Sequence, residues 1–403
     1  MSSAAELTAP AADRRQRLAL ALLLGLSTIL VYGASYFSPT VLAPGIVAET
    51  GWPLSWVIGG LSLSLVVCGL AMPFAGRRIE RWGGRAVLPP GCLVMAAGLA
   101  LLALAQSLWL YGLGWFVVGL GSAGVYYEAS FATLGRQYGH RARDLITLLT
   151  MVGGFTSTLA WPFTALLDAW FGWRGALLAY AALVLLLALP LRLLLPAPPP
   201  HAPRPAPLPG APPPPSRRLL LVALGLCLAL SASITMVIAV HLVPLLGARG
   251  VGLAGAVALG SLIGPCQVGA RVIQFLLGRR LHPLWTLLAS CGAMALGLPL
   301  LALGWGWIAL ALVFYGIGLG LKAVAAGTVP LALVGPRGYA TVLGRLALPS
   351  LLLQALAPVA AAALLDAHPE GAGWLLWIIA GAALANLALA LGLLLAGRRI
   401  RAE

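Results

Sequence analysis

The sequence predicts an all-α integral membrane protein: twelve transmembrane helices in two six-helix bundles related by a parallel repeat. Three observations carry this. The 403 residues are 61% hydrophobic and only 9% charged, far too little charge to cover a soluble surface of that size. Apolar windows of about 20 residues recur along the whole chain, each long enough to cross a hydrocarbon core of about 30 Å. One proline-rich stretch divides those windows six and six. Strand-like alternation is absent, which argues against a membrane barrel.

The first window follows Asp13-Arg14-Arg15-Gln16-Arg17 and runs over 18–47. It is too long for the apolar core of a cleaved leader and reads as an uncleaved first span. Spans two to six are expected at 53–75, 86–105, 108–134, 145–168 and 175–195. Residues 196–217 then hold twelve prolines in 22 positions, which forbids helix and predicts an extended linker. Spans seven to twelve follow at 218–246, 251–277, 284–303, 306–334, 340–365 and 372–396. The expected units are an N-terminal bundle (1–195), a Pro-rich cytoplasmic linker (196–217) and a C-terminal bundle (218–403).

The two halves echo each other. Gly76-Arg77-Arg78 returns as Gly278-Arg279-Arg280, each between the second and third span of its half. Arg17 opens the first half as Arg218 opens the second, and the Ala-Leu-Leu-Asp ending at Asp168 returns at Asp366. All offsets lie near 200 residues, so the chain reads as a duplicated six-helix unit whose copies point the same way.

Charge sets the orientation. The arginine clusters around 14–17, 77–85, 136–143, 204–218, 279–280, 337–345 and 398–401 fall on one side, against Arg174 and Arg249 on the other. Basic loops stay in the cytoplasm, so both termini are expected there, in the inner membrane of a bacterium. The net charge of +15 follows from this asymmetry, and scattered short loops make no nucleic-acid surface. The five cysteines form no CxxC or Cys/His cluster, so no metal is expected. No phosphate-binding loop appears either, so no cofactor is expected and ATP-driven transport by this chain alone is disfavoured. A catalytic cluster is missing, and the chain reads as a non-enzyme.

The loop after span two reads GRRIERWGGR, Gly76 to Arg85. It resembles the signature loop of the major facilitator superfamily, matching at Gly76, Arg81 and Gly83. Glu80 stands where that family usually has Asp, and Gly84-Arg85 replaces its closing basic pair. With the six-plus-six repeat, the resemblance covers nearly the whole chain. It implies a gating role for Gly76, Glu80, Arg81 and Gly83, since a carboxylate at a helix end can hold backbone N–H groups in one state and release them in another. Two departures weaken a drug-antiporter reading: Trp115 stands at the usual fourth-span arginine, and the usual fifth-span Gly-Pro pattern is replaced by a segment containing Trp161-Pro162.

In that architecture spans 1, 4, 7 and 10 line a central cavity, and polar residues concentrate on them: Tyr32 and Tyr36, Tyr126, Tyr127 and Glu128, Thr235, and Lys322. Trp161 and Gln267 join from neighbouring spans. Arg271, Lys322 and Glu128 are charges inside spans, where each costs about 2.5–3.5 kcal/mol on insertion scales and is paired or used. Arg271 resembles the eighth-span arginine of the oxalate/monocarboxylate branch, where it faces the anionic substrate. A guanidinium holds a carboxylate through two parallel bonds, and Lys322 adds a compact charge. Glu128 reads either as a proton carrier or as a fixed salt bridge to Arg271 or Lys322. The tyrosines and Trp161 read either as ring contacts for a planar solute or as packing. The expected function is secondary active transport of a small organic anion by alternating access, with proton coupling, by a monomer. A proton-driven exporter of amphipathic or aromatic compounds is the alternative.

Overall fold

A computed structural model describes residues 11–196, 215–277, 281–368 and 370–402. Most of the Pro-rich linker and the Gly278-Arg279-Arg280 echo lie outside the described residues. Eleven helical segments are long and apolar enough to cross a membrane. Two of them, Leu108–Gly153 (46 residues) and Thr158–Leu193 (36 residues), together hold three passes. At 1.5 Å per residue the first would be about 69 Å long, twice what a bilayer needs. Glycines fold them back: Gly139 at φ 59° opens a short turn at Gly139–Arg141, and Gly172 at φ 66° breaks the second segment. Only glycine takes that backbone shape without cost. The chain therefore makes twelve passes.

Pass 1 is α1 (Ala11–Tyr32), a π-helical turn (Gly33–Phe37) and α2 (Ser38–Thr50). Passes 2 and 3 are α3 (Leu54–Trp82) and α4 (Leu88–Ala103). Pass 4 is split into α5 (Leu108–Val125) and α6 (Tyr127–Tyr138). Passes 5 and 6 are built from α7 (Ala142–Gly153), α8 (Thr156–Leu183), a second π-helical turn (Val184–Ala188) and α9 (Leu189–Leu193). The second half holds α10 (Pro215–Ala248), α11 (Leu253–Ser261) with α12 (Ile263–Leu277), α13 (Pro283–Leu303), α14 (Ile308–Val334), α15 (Tyr339–Ala367) and α16 (Gly371–Ala402). An even number of passes puts both described ends on one face, termed the terminal face.

The halves share apolar cores on the terminal side. Ala347, Leu351 and Ala355 of α15 join the main N-half cluster, and Leu331, Tyr339, Ala340 and Leu343 join the cluster around Ile79 and Leu134. Helices α3 and α15 cross backbone to backbone: a Cβ on Gly76 would strike the Ala340 carbonyl, and one on Gly344 the Met72 carbonyl. Small residues at such crossings permit this approach. Beyond Ala355, α15 packs within its own half through Ala361, 4% exposed.

On the far face, opposite the terminal one, an arginine holds the end of the third pass of each half, from non-equivalent loops. Arg174 donates to the carbonyls of Ala103 (2.6 Å) and Ala105 (2.9 Å) at the end of pass 3, and Arg249 donates to Ala302 (2.6 Å) at the end of pass 9. In the first half the position 200 before Arg249 is Glu49, which pairs with Arg174 at 2.9 Å.

Candidate functional site

Two local departures from α-helix place the site. In pass 1 the π-helical turn Gly33–Phe37 follows Tyr32 directly and carries Ser35 and Tyr36. In pass 4 Tyr126 is extended (φ −73°, ψ 176°), so α5 ends at Val125 and α6 starts at Tyr127. A mid-membrane break frees backbone groups that need partners, and such breaks are tolerated only inside protein or beside a cavity. Here Arg192 supplies one partner: its Nη2 donates to the Val125 carbonyl at 2.8 Å, and its Nε to Ser27 Oγ at 3.2 Å. Arg192 is fully buried and its Nη1 has no hydrogen-bond partner. Glu128 is the second residue of α6, at the helix end whose free N–H groups favour an anion.

The rings of pass 1 and pass 4 meet at this break. Tyr32 stacks on Tyr126 with centroids 4.2 Å apart and lies 5.0 Å from Tyr127 and 5.8 Å from Tyr36. The Tyr126 hydroxyl is 2.9 Å from Ser35 Oγ. Tyr36 reaches into the other half: its hydroxyl donates to Met236 Sδ at 3.0 Å and accepts from Gln354 Nε2 at 2.9 Å.

The second half supplies the cations. Arg271 is 6% exposed and crosses the interface, donating through Nη1 to the Thr150 carbonyl (2.8 Å) and through Nε to the Gly320 carbonyl of its own half (3.3 Å). Gly153 and Gly154 make room for this: a Cβ on Gly153 would fall on the Tyr127 hydroxyl, and one on Gly154 on the Arg271 guanidinium. Gln267 sits one turn before Arg271, with its backbone against Gly320. Lys322, the only lysine in the chain, donates to Thr235 Oγ1 (3.0 Å) and the Ser231 carbonyl (3.4 Å). Asn386 joins from pass 12, its Nδ2 2.7 Å from Ser231 Oγ and its Oδ1 unbonded.

Glu128 faces Lys322 electrostatically but makes no ion pair with it or with Arg271, and its Oε2 has no hydrogen-bond partner. The fixed salt bridge is thus not formed in this conformation. Tyr32, Tyr36, Tyr127, Glu128, Thr235, Lys322 and Gln354 all keep partial exposure although they lie mid-span. Phenols and a carboxyl thus come from the first half, and Lys322 and the buried Arg271 from the second. Trp161 lies further out, 51% exposed, with its ring 6.0 Å from Phe37.

On the terminal face Glu80 ties the two halves together. Its Oε1 accepts from the Gly338 N–H (2.9 Å) and its Oε2 from the Ala340 N–H (3.2 Å), at the start of α15 in the other half. Gly83, at φ 80°, ends α3 and directs the chain into the loop. Arg81 is exposed over the Trp82 ring at 4.9 Å, and it is Arg136 that bonds the Glu80 carbonyl (3.2 Å).

Residues 24–348 match the family model of the Major Facilitator Superfamily. This chain belongs to that superfamily. It is a multi-pass membrane transporter and not an enzyme. The superfamily fold is matched over nearly the whole chain by the human organic anion transporter MFSD10 (TETRAN): TM-score 0.71, 19% identity, covering 95% of this chain and 100% of that one. The outward-conformation structure of FucP superposes with a TM-score of 0.70 at 14% identity (93% and 98%), and the proton:xylose symporter XylE with 0.67 at 14% (92% and 94%). Among curated proteins the chain is 37% identical to mouse monocarboxylate transporter 11 over 126 residues, which is 31% of this chain and 28% of that protein. It is 30% identical to human monocarboxylate transporter 2 over 135 residues (33% and 27%). The alignments thus span about a quarter of the curated relatives' length.

Two site residues escape a reading by type and span. Arg192 looks like the end of a span, and its signal is a lone arginine after Pro190 within an apolar run. Asn386 is the single asparagine of the chain, and that uniqueness inside an apolar window is its signal.

Proposed function

We propose that this superfamily member carries an organic anion by alternating access, coupled to protons, with Arg271 as the substrate's carboxylate ligand. The observation that supports this most is Arg271 itself: a buried guanidinium between the halves, held only by two backbone carbonyls. A carbonyl is a weaker partner for guanidinium than a carboxylate, which bonds bidentately with full charge. Lys322 adds positive potential, and the monocarboxylate transporters among the relatives agree with an anionic cargo. Glu128, unpaired and across from Lys322, is the proposed proton carrier. Tyr32, Tyr36, Tyr126, Tyr127, Trp161 and Gln267 complete the proposed site.

The gate follows from Glu80. With its bonds to α15 in place the terminal face is sealed, and Gly76 and Gly83 give the seal its close packing and its turn. If the basic loops are cytoplasmic, this is the outward-facing state. We place the protein in a bacterial inner membrane as a monomer, with bundles 1–195 and 218–403 rocking about the linker 196–217. The test is uptake of radiolabelled monocarboxylates into proteoliposomes under a proton gradient. Wild type accumulates the label, Arg271→Ala does not, and Glu128→Gln loses the dependence on the gradient. Normal accumulation by Arg271→Ala sinks the anion site.

A further inference from the structure

The anion reading fixes one end of the substrate and leaves its body open. The rings around the site bear on that body. Tyr127, Tyr32, Tyr36, Phe37 and Trp161 form an unbroken series, each centroid 5.0 to 6.0 Å from the next. Tyr126 backs the series, stacked on Tyr32 and 1% exposed. The other five all retain exposed surface, from the mid-span tyrosines to Trp161 at 51%. The series runs from the wall beside Arg271 along pass 1 to pass 5, a continuous set of ring faces and edges for a planar body to lie against.

The series also has a direction. Its inner end is Tyr127, whose hydroxyl rests on Gly153, and the Arg271 guanidinium rests on the adjacent Gly154. Its outer end is Trp161, and the step between runs through pass 1. At the inner end two cations, Arg271 and Lys322, stand against one carboxyl, Glu128, a balance that disfavours aromatic cations despite the π faces.

We propose that the preferred substrate is an aromatic carboxylate, its carboxylate on Arg271 and its ring against Tyr32, Tyr36 and Phe37. This rests on the organic-anion reading. Offset or edge-on ring contacts at these spacings favour a planar aromatic body over an aliphatic one of equal size.

Titration calorimetry on the purified full-length protein tests it with four probes: 3-phenylpropionate, 3-cyclohexylpropionate, propionate and 3-phenylpropionamide. We expect 3-phenylpropionate to bind at least tenfold tighter than each of the others. Tyr32→Phe is expected to keep that order, while Tyr32→Leu brings the phenyl and cyclohexyl acids within threefold of each other. Equal affinity for the phenyl and cyclohexyl acids, or for phenyl acid and propionate, overturns the aromatic preference and leaves the anion reading standing. Binding of the amide as tight as its acid overturns the anion reading, and the proposal with it.

Discussion

Replacing Glu80 by alanine removes both bonds that tie the end of α3 to the start of α15, at 2.9 and 3.2 Å from the Gly338 and Ala340 N–H groups. Hydrogen bonds to a charged group contribute about 1.5–3 kcal/mol each. Glu80 is only partly buried, so the low end applies, and the pair is set at about 3 kcal/mol. That bias acts only in the sealed state, so its loss should shift the sealed-to-open ratio of the terminal face by about 150-fold. The shared core and the α3–α15 crossing remain, so the fold should survive. Spin labels at Arg85 and Arg337, both exposed and on opposite halves, report the separation by pulsed electron resonance in a background with the five cysteines replaced. Wild type should give one short distance and Glu80→Ala a second, longer population. Glu80→Gln, which keeps one neutral acceptor, should fall between. An unchanged distribution in Glu80→Ala would show that the shared apolar core holds the face shut without the carboxylate.

Two further substitutions probe the site. Gly154→Ala leaves a helical backbone position (φ −63°, ψ −22°) but puts a methyl where the Arg271 guanidinium lies. It should raise the KM for carboxylate uptake about tenfold, equal to about 1.4 kcal/mol, with little loss of stability, and an unchanged KM would mean that Arg271 is not seated there when substrate binds. Arg192→Met strips the Val125 carbonyl of its donor, a buried loss of about 1–3 kcal/mol. Amide hydrogen exchange over 127–130 should then rise at least tenfold, and protection equal to wild type would show that the break in pass 4 holds without Arg192.

Much of this architecture is legible in the residues because membranes are strict. An apolar window of span length leaves few alternatives, and the basic loops and the proline run order the windows. Glu80 is visible in the sequence as a carboxylate closing a span beside arginines, while its partners at Gly338 and Ala340 are not. The breaks are not legible. Nothing in Gly124-Val125-Tyr126-Tyr127 separates an extended Tyr126 from a helical one, since the extended backbone is stabilised by Arg192, some 65 residues away in sequence. The π-helical turn at Gly33–Phe37 is hidden likewise, because its one extra residue changes no hydrophobic period strongly enough to register. Arg271 is legible as a charge inside a span, but its seat on Thr150 is not. A backbone carbonyl has no residue type, and the pair joins residues 121 apart in sequence.

Tyr36 and Met236 touch across the interface at a separation of 200 residues, within the 198 to 202 that separates the matching segments of the repeat. Equivalent positions of two copies meet only on the axis that relates them, so the site straddles that axis. A freshly duplicated chain would present the same wall twice there, and a solute could sit either way round. In this chain one copy carries Tyr32, Tyr36, Tyr127 and Glu128, the other Arg271 and Lys322. A solute carried between these walls under the proposed mechanism has one heading, and the end that leads on the way in also leads on the way out.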